Sequence, residues 1–439
     1  MTKLKKALTL YGLTMIAIGS CVGIGIFLTP ASVASALPSS SQMLMVWTVG
    51  GIVALTGALT FAELGGIFSE SGGVYIYLKE AYGEIVAFLY GWSILTVITS
   101  GAIASLALGF ARYVGHLIPL SDFGMTLVAI SSIVLVTLIN VRGVKFSEYL
   151  ASSFTTMKLL GILFIIVIGF MGYFSWSSFT PDFTVEIPKS TSFATALVSV
   201  LFSFGGWHHA SYLAGETINP QRNIPKAMMM GTLVVTLVYL LINLAFIFLL
   251  PMEQIVGSKA IAADAIGGFF SWGGSFIAIL IILSTFGTIG IFTMSAPRIY
   301  FAMSKDKVFF NFLGKLHPKW GTPLNAIVFQ SVWAIVLILF WQTFESLIKY
   351  VVFMDWIFMT LAAASIFVFR KKLPTVDRPY KTIGYPIIPL IFIVISIWFL
   401  VFTLVGKSDE PIAGLGVTAV GLLFYFIFKA TQKNTHKEG

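Results

Sequence analysis

The chain has 439 residues, of which 57% are hydrophobic and only 10% are charged. Soluble domains carry about 25% charged residues, so this composition excludes an ordinary soluble protein and predicts a membrane protein. The formal net charge is +9, but the basic residues are scattered over short segments and accompany no nucleic-acid-binding motif. The charge therefore does not indicate a nucleic-acid partner.

Twelve apolar segments are long enough to cross a hydrocarbon layer of about 30 Å. Numbered as spans 1 to 12 in chain order, they lie near 8–36, 43–68, 85–117, 125–140, 149–174, 191–215, 227–250, 272–303, 324–341, 347–369, 386–405 and 411–429. The first segment is too long for a signal peptide and lacks a small-residue cleavage site. No soluble domain fits between spans, so residues 1–439 are predicted to form one all-α membrane domain embedded in the lipid bilayer.

The positions of lysine and arginine predict the orientation. Because the number of spans is even, both termini lie on one side, and 21 of the 27 Lys and Arg residues fall on that side, against five on the other. An excess of basic residues marks the cytoplasmic side. We therefore expect cytoplasmic termini and a multi-pass protein of the plasma membrane.

Spans 1 and 6 are each interrupted by glycines. The first interruption is GSCVGIGIF (Gly19 to Phe27) and the second is FSFGGW (Phe202 to Trp207), each in the first span of one half of a ten-span unit. Glycine costs a helix interior about 1 kcal/mol relative to alanine, so both helices are weakened there. In lipid, a broken helix persists only where it is buried or lines a cavity. Paired interruptions of this kind are typical of a transporter's substrate site.

The ends of the broken helices indicate the chemistry of the ligand. An interruption divides a helix into two halves. The first half ends with unpaired carbonyls that suit an ammonium, and the second half begins with unpaired N–H groups that attract a carboxylate. The residues predicted to bind a carboxylate through their N–H groups are Val22, Gly23, Ile24 and Gly25. The residues predicted to bind an amine through their carbonyls are Cys21, Phe202, Ser203 and Gly205. The competing interpretation is a small-residue packing face in span 1 and a passive kink in span 6.

Cysteine and histidine usage argues against several other kinds of site. Cys21 is the only cysteine, so neither an intramolecular disulfide nor a multi-cysteine metal site is possible. The adjacent His208 and His209 point about 100° apart on a helix and join no carboxylate cluster. No nucleophile–base–acid set is apparent. We therefore expect no metal, no cofactor and no enzymatic activity.

Four sequence segments carry a family resemblance. They are GSCVGIGIF, AELGGIFSESGGVYIYL (Ala62 to Leu78), FSFGGWHHASYLAGETINPQRNIPKAM (Phe202 to Met228), and SAPRIYFAMSKDK followed by HPKWGTP (Ser295 to Pro323). The chain resembles the L-type amino acid transporter branch of the amino acid–polyamine–organocation superfamily, from Leu8 to about Ile397. Among subtypes it is most similar to bacterial serine/threonine or alanine/serine/cysteine exchangers, which implies a bacterial protein.

The resemblance implies the leucine-transporter fold. In that fold, spans 1–5 and 6–10 are inverted repeats with spans 1 and 6 broken, here within residues 1–185 and 186–372. Residues 373–439 then hold spans 11 and 12 and a cytoplasmic tail. Eukaryotic relatives link to a glycoprotein through a cysteine between spans 3 and 4, where this chain reads GHLIPLSDFG. We therefore expect no disulfide-linked ancillary subunit.

The chain departs from the family pattern at two positions in the predicted site. Ile24 stands where the family often has serine, and His208 stands where some relatives have asparagine. Because the carboxylate is expected to bind backbone N–H groups, the site is retained. The pocket, which also includes the side chains of Cys21 and Phe202, is predicted to be compact and mostly apolar.

Lys158 is the most informative single charge, since it lies about ten residues, or about 15 Å, into span 5. An intramembrane lysine costs about 3 kcal/mol or more and usually faces a partner or a cavity. By resemblance, its ammonium replaces the sodium ion that coupled relatives hold between spans 1 and 8, and it donates to carbonyls near Gly19. Two alternatives remain open: a lysine that takes up and releases a proton in each cycle, and one that snorkels to the interface.

Four further side chains are candidates for gating or structure. Phe202 is expected to close over the substrate as an outer gate, with ordinary helix packing as the alternative. Tyr239 in span 7 is expected to bound the site on its cytoplasmic side. Glu63 and Asp355 are intramembrane acids, either structural partners or parts of an inner gate.

These observations predict a sodium-independent transporter that works by alternating access. Its substrates are predicted to be small neutral L-amino acids of the alanine, serine and cysteine type, exchanged 1:1. The alternative is a proton-coupled amino acid importer that uses Lys158. A channel would need a continuous polar pore and a sensor would need a signalling domain, and the sequence indicates neither.

Overall fold

The computed structural model of the protein describes residues 4–175, 183–184, 189–340, 344–405 and 409–435. Across these residues the chain is helical, with one isolated parallel bridge between Leu8 and Thr217. Nine of the described helices are long and apolar enough to cross a membrane, and three shorter apolar helices complete the set. The predicted all-α fold with 12 spans is confirmed.

The twelve spans are built from seventeen helical segments. Their bounds are Leu10–Cys21 and Gly25–Ala36 (span 1), Ser40–Ile67 (span 2), Glu84–Ser93, the π-helical Ile94–Ile98 and Thr99–Leu117 (span 3), Asp122–Asn140 (span 4), Val144–Ser175 (span 5), Ser190–Ser203 and His209–Tyr212 (span 6), Pro220–Leu249 (span 7), Gly273–Ser295 and Pro297–Lys305 (span 8), Leu324–Phe340 (span 9), Phe344–Lys372 (span 10), Ile387–Val405 (span 11) and Asp409–Thr435 (span 12).

Several predicted boundaries differ from the structure. The helix of span 7 begins at Pro220 and not near residue 227, where the prediction placed it because its first turns are polar. The helix of span 5 begins at Val144 and not near residue 149, so Lys158 lies fourteen residues into it, about 21 Å from its start. The discrepancy arises because the first turn contains Lys145 and Glu148, whose polarity hides the helix from a count of apolar residues. The predicted boundary between the two repeats, at residues 185 and 186, lies outside the described residues.

Burial places the first broken span at the centre of the molecule. Of its most apolar window, 83% is buried inside the protein, against 22% for spans 4 and 11. Span 1 packs on spans 5, 7 and 8, and its second half packs on the first half of span 6. Spans 4 and 11 lie at the outside of the bundle and span 1 lies inside it. Because span 6 packs on span 1, the freed backbone groups of both interruptions meet protein rather than lipid.

Candidate substrate site

The helix of span 1 stops at Cys21 and resumes at Gly25. Within the interruption, the Val22 N–H donates to the Ile18 carbonyl at 2.9 Å, which closes the first half-helix. The Gly23 N–H donates to the Cys21 carbonyl, also at 2.9 Å. Two of the four N–H groups predicted to hold a carboxylate are therefore already used in this conformation.

The N–H groups of Ile24 and Gly25 make no hydrogen bond within the described part of the chain. They stand at the start of the second half-helix, where the helix dipole contributes a partial positive charge. This end of span 1 therefore has the free N–H groups and the partial charge that suit an anion.

The second interruption ends the first helix of span 6 at Ser203, and a helix of only four residues follows at His209–Tyr212. Between them, the Gly205 N–H donates to the Phe202 carbonyl at 3.1 Å. The chain therefore turns sharply, and both predicted interruptions are real breaks.

The two breaks contact each other through Gly206. Its φ is +115°, in the region that favours glycine, and its carbonyl accepts a hydrogen bond from the Ser20 hydroxyl at 2.8 Å. A Cβ on Gly206 would lie 2.7 Å from the Ser20 carbonyl oxygen, so the close approach requires glycine.

Tyr239 of span 7 connects the same two breaks from behind. Its hydroxyl lies 2.9 Å from the Cys21 carbonyl oxygen and 3.0 Å from the Ser203 carbonyl oxygen. The ring is fully buried and packs against Trp47 and Phe204. Tyr239 is not among the residues that line the cavity described next, so it positions the break carbonyls rather than forming a wall.

A cavity of about 90 Å³ lies between the breaks and spans 3, 8 and 10. The residues of the two broken spans that line it are Ser20, Cys21, Gly23, Ile24, Gly25, Leu201, Phe202, Ser203, Gly205, Gly206, His208 and His209. Of the predicted binding residues, only Val22 is outside this lining. One water needs about 10–15 Å³ of such space, so the cavity holds on the order of six to nine non-hydrogen atoms.

Lys158 is fully buried beside the first break. Its ammonium lies within hydrogen-bonding distance of four oxygens: the carbonyls of Gly19 (3.1 Å), Val22 (2.6 Å) and Ser284 (3.2 Å), and the Thr288 hydroxyl (3.0 Å). It therefore joins span 5 to the broken end of span 1 and to span 8. These contacts match the predicted placement near Gly19 and do not fit the snorkelling alternative.

Phe202 separates this cavity from a larger one of about 700 Å³. The larger cavity is lined by the far ends of spans 1, 3 and 11 and by the segment after span 7, which all lie on the face opposite the N-terminus. Only Gly25, Phe202 and Val352 line both cavities. The partly buried Phe202 ring thus stands in the wall between them, as the predicted outer gate requires.

The face that carries the N-terminus is closed by backbone pairing and an ion pair. The N–H groups of Ala7 and Leu8 donate to the Glu216 carbonyl at 2.8 and 3.0 Å. The Glu216 carboxylate accepts two hydrogen bonds from Arg298 of span 8, at 2.7 and 2.9 Å, and both side chains are 1% exposed. The segment before span 1 is therefore fixed to the segment after span 6 and, through it, to span 8.

The two intramembrane acids differ in their surroundings. Glu63 is fully buried and forms ion pairs with Arg370, in the last turn of span 10, and with Arg378, in the segment after it. It therefore joins span 2 to the end of span 10 as a structural partner. Asp355 of span 10 lines the cavity instead, and its Oδ1 atom is buried with no hydrogen-bond partner in the described ranges.

Sequence reasoning named no residue of spans 3 and 8 in the site, although the family resemblance implied that the Lys158 ammonium lies between spans 1 and 8. The pair Ser284 and Thr288, one helical turn apart in an apolar segment, is a signal that could have indicated the second half of the lysine site. Thr99, which lines the cavity directly after the π-helical turn of span 3, had no such signal, because a π-helix has no reliable sequence pattern.

Two broken helices around a small enclosed cavity, with a larger cavity reaching it from one face, define a membrane transport protein. The comparisons with known proteins agree. The sequence model of the amino acid permease family matches residues 8–428, so the chain belongs to this family, within the L-type branch of the amino acid–polyamine–organocation superfamily.

Similar proteins cover nearly the whole chain. The serine/threonine exchanger SteT of Bacillus subtilis (strain 168) is 33% identical over 434 residues, which are 97% of both chains. The large neutral amino acids transporter small subunit 2 of Homo sapiens is 30% identical over 97% of this chain and 80% of its own. The Asc-type amino acid transporter 1 of Mus musculus is 28% identical over 99% of this chain and 84% of its own.

Proposed function

We propose that the protein is a sodium-independent antiporter that exchanges small neutral L-amino acids 1:1 across the plasma membrane. The observation that carries this proposal is the pair of free N–H groups, on Ile24 and Gly25, facing a cavity that is also bounded by the end of the first half of span 6. The N–H groups suit the substrate carboxylate. The Gly205 carbonyl, which accepts no hydrogen bond from a described residue, suits its amine, whereas the carbonyls of Phe202 and Ser203 already accept from Gly205 and Tyr239.

The size of the cavity supports small substrates. Its volume of about 90 Å³ fits alanine, serine or cysteine and is too small for tryptophan. The side chains of Cys21, Ile24 and Phe202 make the wall near the breaks mostly apolar. A substrate of this class binds with its α-amino and α-carboxyl groups on the two breaks.

Lys158 supports independence from sodium. Its ammonium already supplies hydrogen bonds to the carbonyls of span 1 and to the groups of span 8 that a bound cation would otherwise coordinate. In the proton-coupled alternative, Lys158 would release its proton in each cycle, and the neutral amine would face four oxygens with only two N–H donors and a lone pair. The number of acceptors around the ammonium favours a permanent cation.

Alternating access follows from the closure of one face and the cavity on the other. The broken spans move against the remaining bundle, Phe202 closes the outer path, and the pairing of Leu8 with Thr217 separates to open the inner path. Both termini are on the cytoplasmic side in this arrangement, and the chain works without a disulfide-linked subunit.

The test is uptake of labelled L-alanine into liposomes that contain the purified protein. One set of liposomes holds millimolar unlabelled L-alanine and the other holds none, with sodium and pH equal on both sides. Uptake only into the loaded set, unchanged when sodium is replaced by choline, is the expected result. Equal uptake into empty liposomes contradicts obligatory exchange, and its stimulation by an inward proton gradient would favour the importer.

A further inference from the structure

Asp355 is the one acid that faces the candidate substrate cavity in the described part of the chain. It lies in span 10, next to Trp356, and both residues line the cavity. Its Oδ1 atom is buried and makes no hydrogen bond with any described residue. An unpaired carboxyl group in such a place is costly unless something supplies a hydrogen-bond donor.

The contrast with Glu63 shows that this lack of partners is not typical of acids in this protein. Glu63 is bound by two arginines and by the Thr382 N–H at 2.7 Å. Asp355 has no comparable donor in the ranges described. A purely structural acid would be expected to resemble Glu63, so the missing donor points to a ligand.

Asp355 belongs to the part of the cavity lining that spans 3 and 10 supply, with residues that include Thr99 and Val351. Spans 1 and 6 supply the lining around the breaks, and Asp355 also borders Gly205 and His208 of the second break. A substrate held at the breaks by its α-amino and α-carboxyl groups directs its side chain toward spans 3 and 10. The Thr99 hydroxyl is also buried without a hydrogen-bond partner among the described residues, so this part of the lining offers two unpaired polar groups.

We propose that Asp355 is a specificity-determining residue that accepts a hydrogen bond from the side chain of the substrate. This inference rests on the proposed function, because it requires the α-groups to bind at the breaks. The preferred substrates are then short neutral amino acids whose side chain carries a hydroxyl. A hydroxyl fits both groups of this lining, since it donates to Asp355 and accepts from Thr99.

A water molecule is the competing partner for Asp355. A second cavity of about 20 Å³, lined by Asp355, His208 and Trp356, adjoins the first. That volume is enough for one water, which needs about 10–15 Å³. A water there would satisfy the carboxyl group without giving it any influence on substrate choice, so the experiment must measure selectivity rather than transport alone.

The experiment measures how well unlabelled amino acids inhibit labelled L-alanine uptake into liposomes loaded with L-alanine. L-Serine should inhibit at concentrations about tenfold lower than L-2-aminobutyrate, in which a methyl group replaces the hydroxyl. L-2,3-Diaminopropionate, whose side chain carries an amino group in place of the hydroxyl, should inhibit less strongly than serine. Stronger inhibition than by serine would contradict the hydroxyl preference.

Substitutions at Asp355 separate a direct contact from a structural role. In Asp355→Leu, the ratio of the inhibitory concentrations of aminobutyrate and serine should fall to about one, and in Asp355→Asn it should fall partway. Asp377→Asn, in the exposed segment after span 10, is the matched control and should keep the wild-type ratio.

Two further results would overturn this assignment: a wild-type ratio near one while alanine exchange proceeds, or an Asp355→Leu protein with an unchanged ratio. Because a wild-type ratio near one would overturn the assignment by itself, the assignment can be tested even if a variant does not fold. Absence of any amino acid exchange by the wild-type protein would instead refute the proposed function.

Discussion

At the scale of single residues, the site depends on polar side chains that hold backbone carbonyls in place. Lys158 and Tyr239 do not contact the substrate position directly, yet they donate to carbonyls of both broken spans. Removing a donor from a buried carbonyl costs about 1–3 kcal/mol, because the carbonyl is left unpaired in a place that water does not reach.

Replacing the lysine is therefore expected to disable transport. In Lys158→Met, the carbonyls of Gly19, Val22 and Ser284 lose the ammonium as a donor, and the end of span 1 loses its side-chain link to span 5 through this residue. The hydroxyls of Ser284 and Thr288 remain as its hydrogen bonds to span 8. We expect exchange of labelled alanine to fall at least tenfold. Lys145→Met, in the exposed first turn of the same helix, should exchange at the wild-type rate.

The gate predicts a change in the accessibility of Cys21, the only cysteine in the chain. Cys21 is buried and lines the small cavity, on the far side of Phe202 from the larger one. Phe202→Ala removes the ring between the cavities, so a membrane-impermeant thiol reagent added from the outer face should label Cys21 several-fold faster.

The control for that experiment is Phe402→Ala. Phe402 lines the larger cavity only, so its loss should not change the labelling rate. Saturating L-alanine should slow labelling of the Phe202 variant, because the substrate occupies the space next to the thiol. Equal labelling of the wild-type and Phe202→Ala proteins would contradict the gate.

At the scale of elements, spans 1 and 6 are broken where they contact each other. Glycine contributes at two positions. Gly19 allows span 1 to pack closely on span 5, since a Cβ there would lie 2.2 Å from the Thr155 hydroxyl oxygen. Gly206 supplies the positive φ that turns the chain toward Ser20.

Gly206→Ala is accordingly expected to abolish exchange. The new methyl group would meet the Ser20 carbonyl at 2.7 Å, and alanine is strained at a φ of +115°. The two breaks would then separate and enlarge the substrate site. Gly267→Ala, where nothing lies within 4 Å of the new carbon, is the control. A Gly206→Ala protein with wild-type exchange would show that the contact between the breaks is dispensable.

At the scale of the whole molecule, one face is closed and the other holds the larger cavity. Closure depends on Glu216, whose backbone carbonyl binds the chain before span 1 and whose carboxylate binds Arg298. Opening this face requires the separation of Ala7 and Leu8 from Glu216. The buried ion pair itself can remain, since it holds the segment after span 6 on span 8.

The ion pair predicts a loss of stability when one partner is removed. Arg298→Met leaves the buried Glu216 carboxylate without a counter-charge, a change that costs about 3–5 kcal/mol in comparable pairs. The melting temperature in detergent should therefore fall clearly, whereas the exposed Arg222→Met should leave it unchanged. The double variant Arg298→Met with Glu216→Gln should recover part of the loss. Equal melting temperatures for the wild-type protein and Arg298→Met would contradict this role.

The sequence by itself determined the class of protein, the twelve spans and the position of both breaks. Hydropathy and glycine content are local properties, and the bilayer allows a broken helix only in a few settings, so these features follow without tertiary information. The placement of Lys158 near Gly19 also followed, because a buried ammonium needs carbonyl acceptors and the family resemblance indicated which ones.

Only the tertiary structure decided which groups of the site remain free. Val22 and Gly23 use their N–H groups within the break, whereas Ile24 and Gly25 do not, and this depends on dihedral angles that the sequence does not specify. The different surroundings of Glu63 and Asp355 were equally unpredictable. Hydrogen-bond partners of a buried acid come from residues distant in the chain, so only packing assigns two arginines to one acid and a cavity to the other.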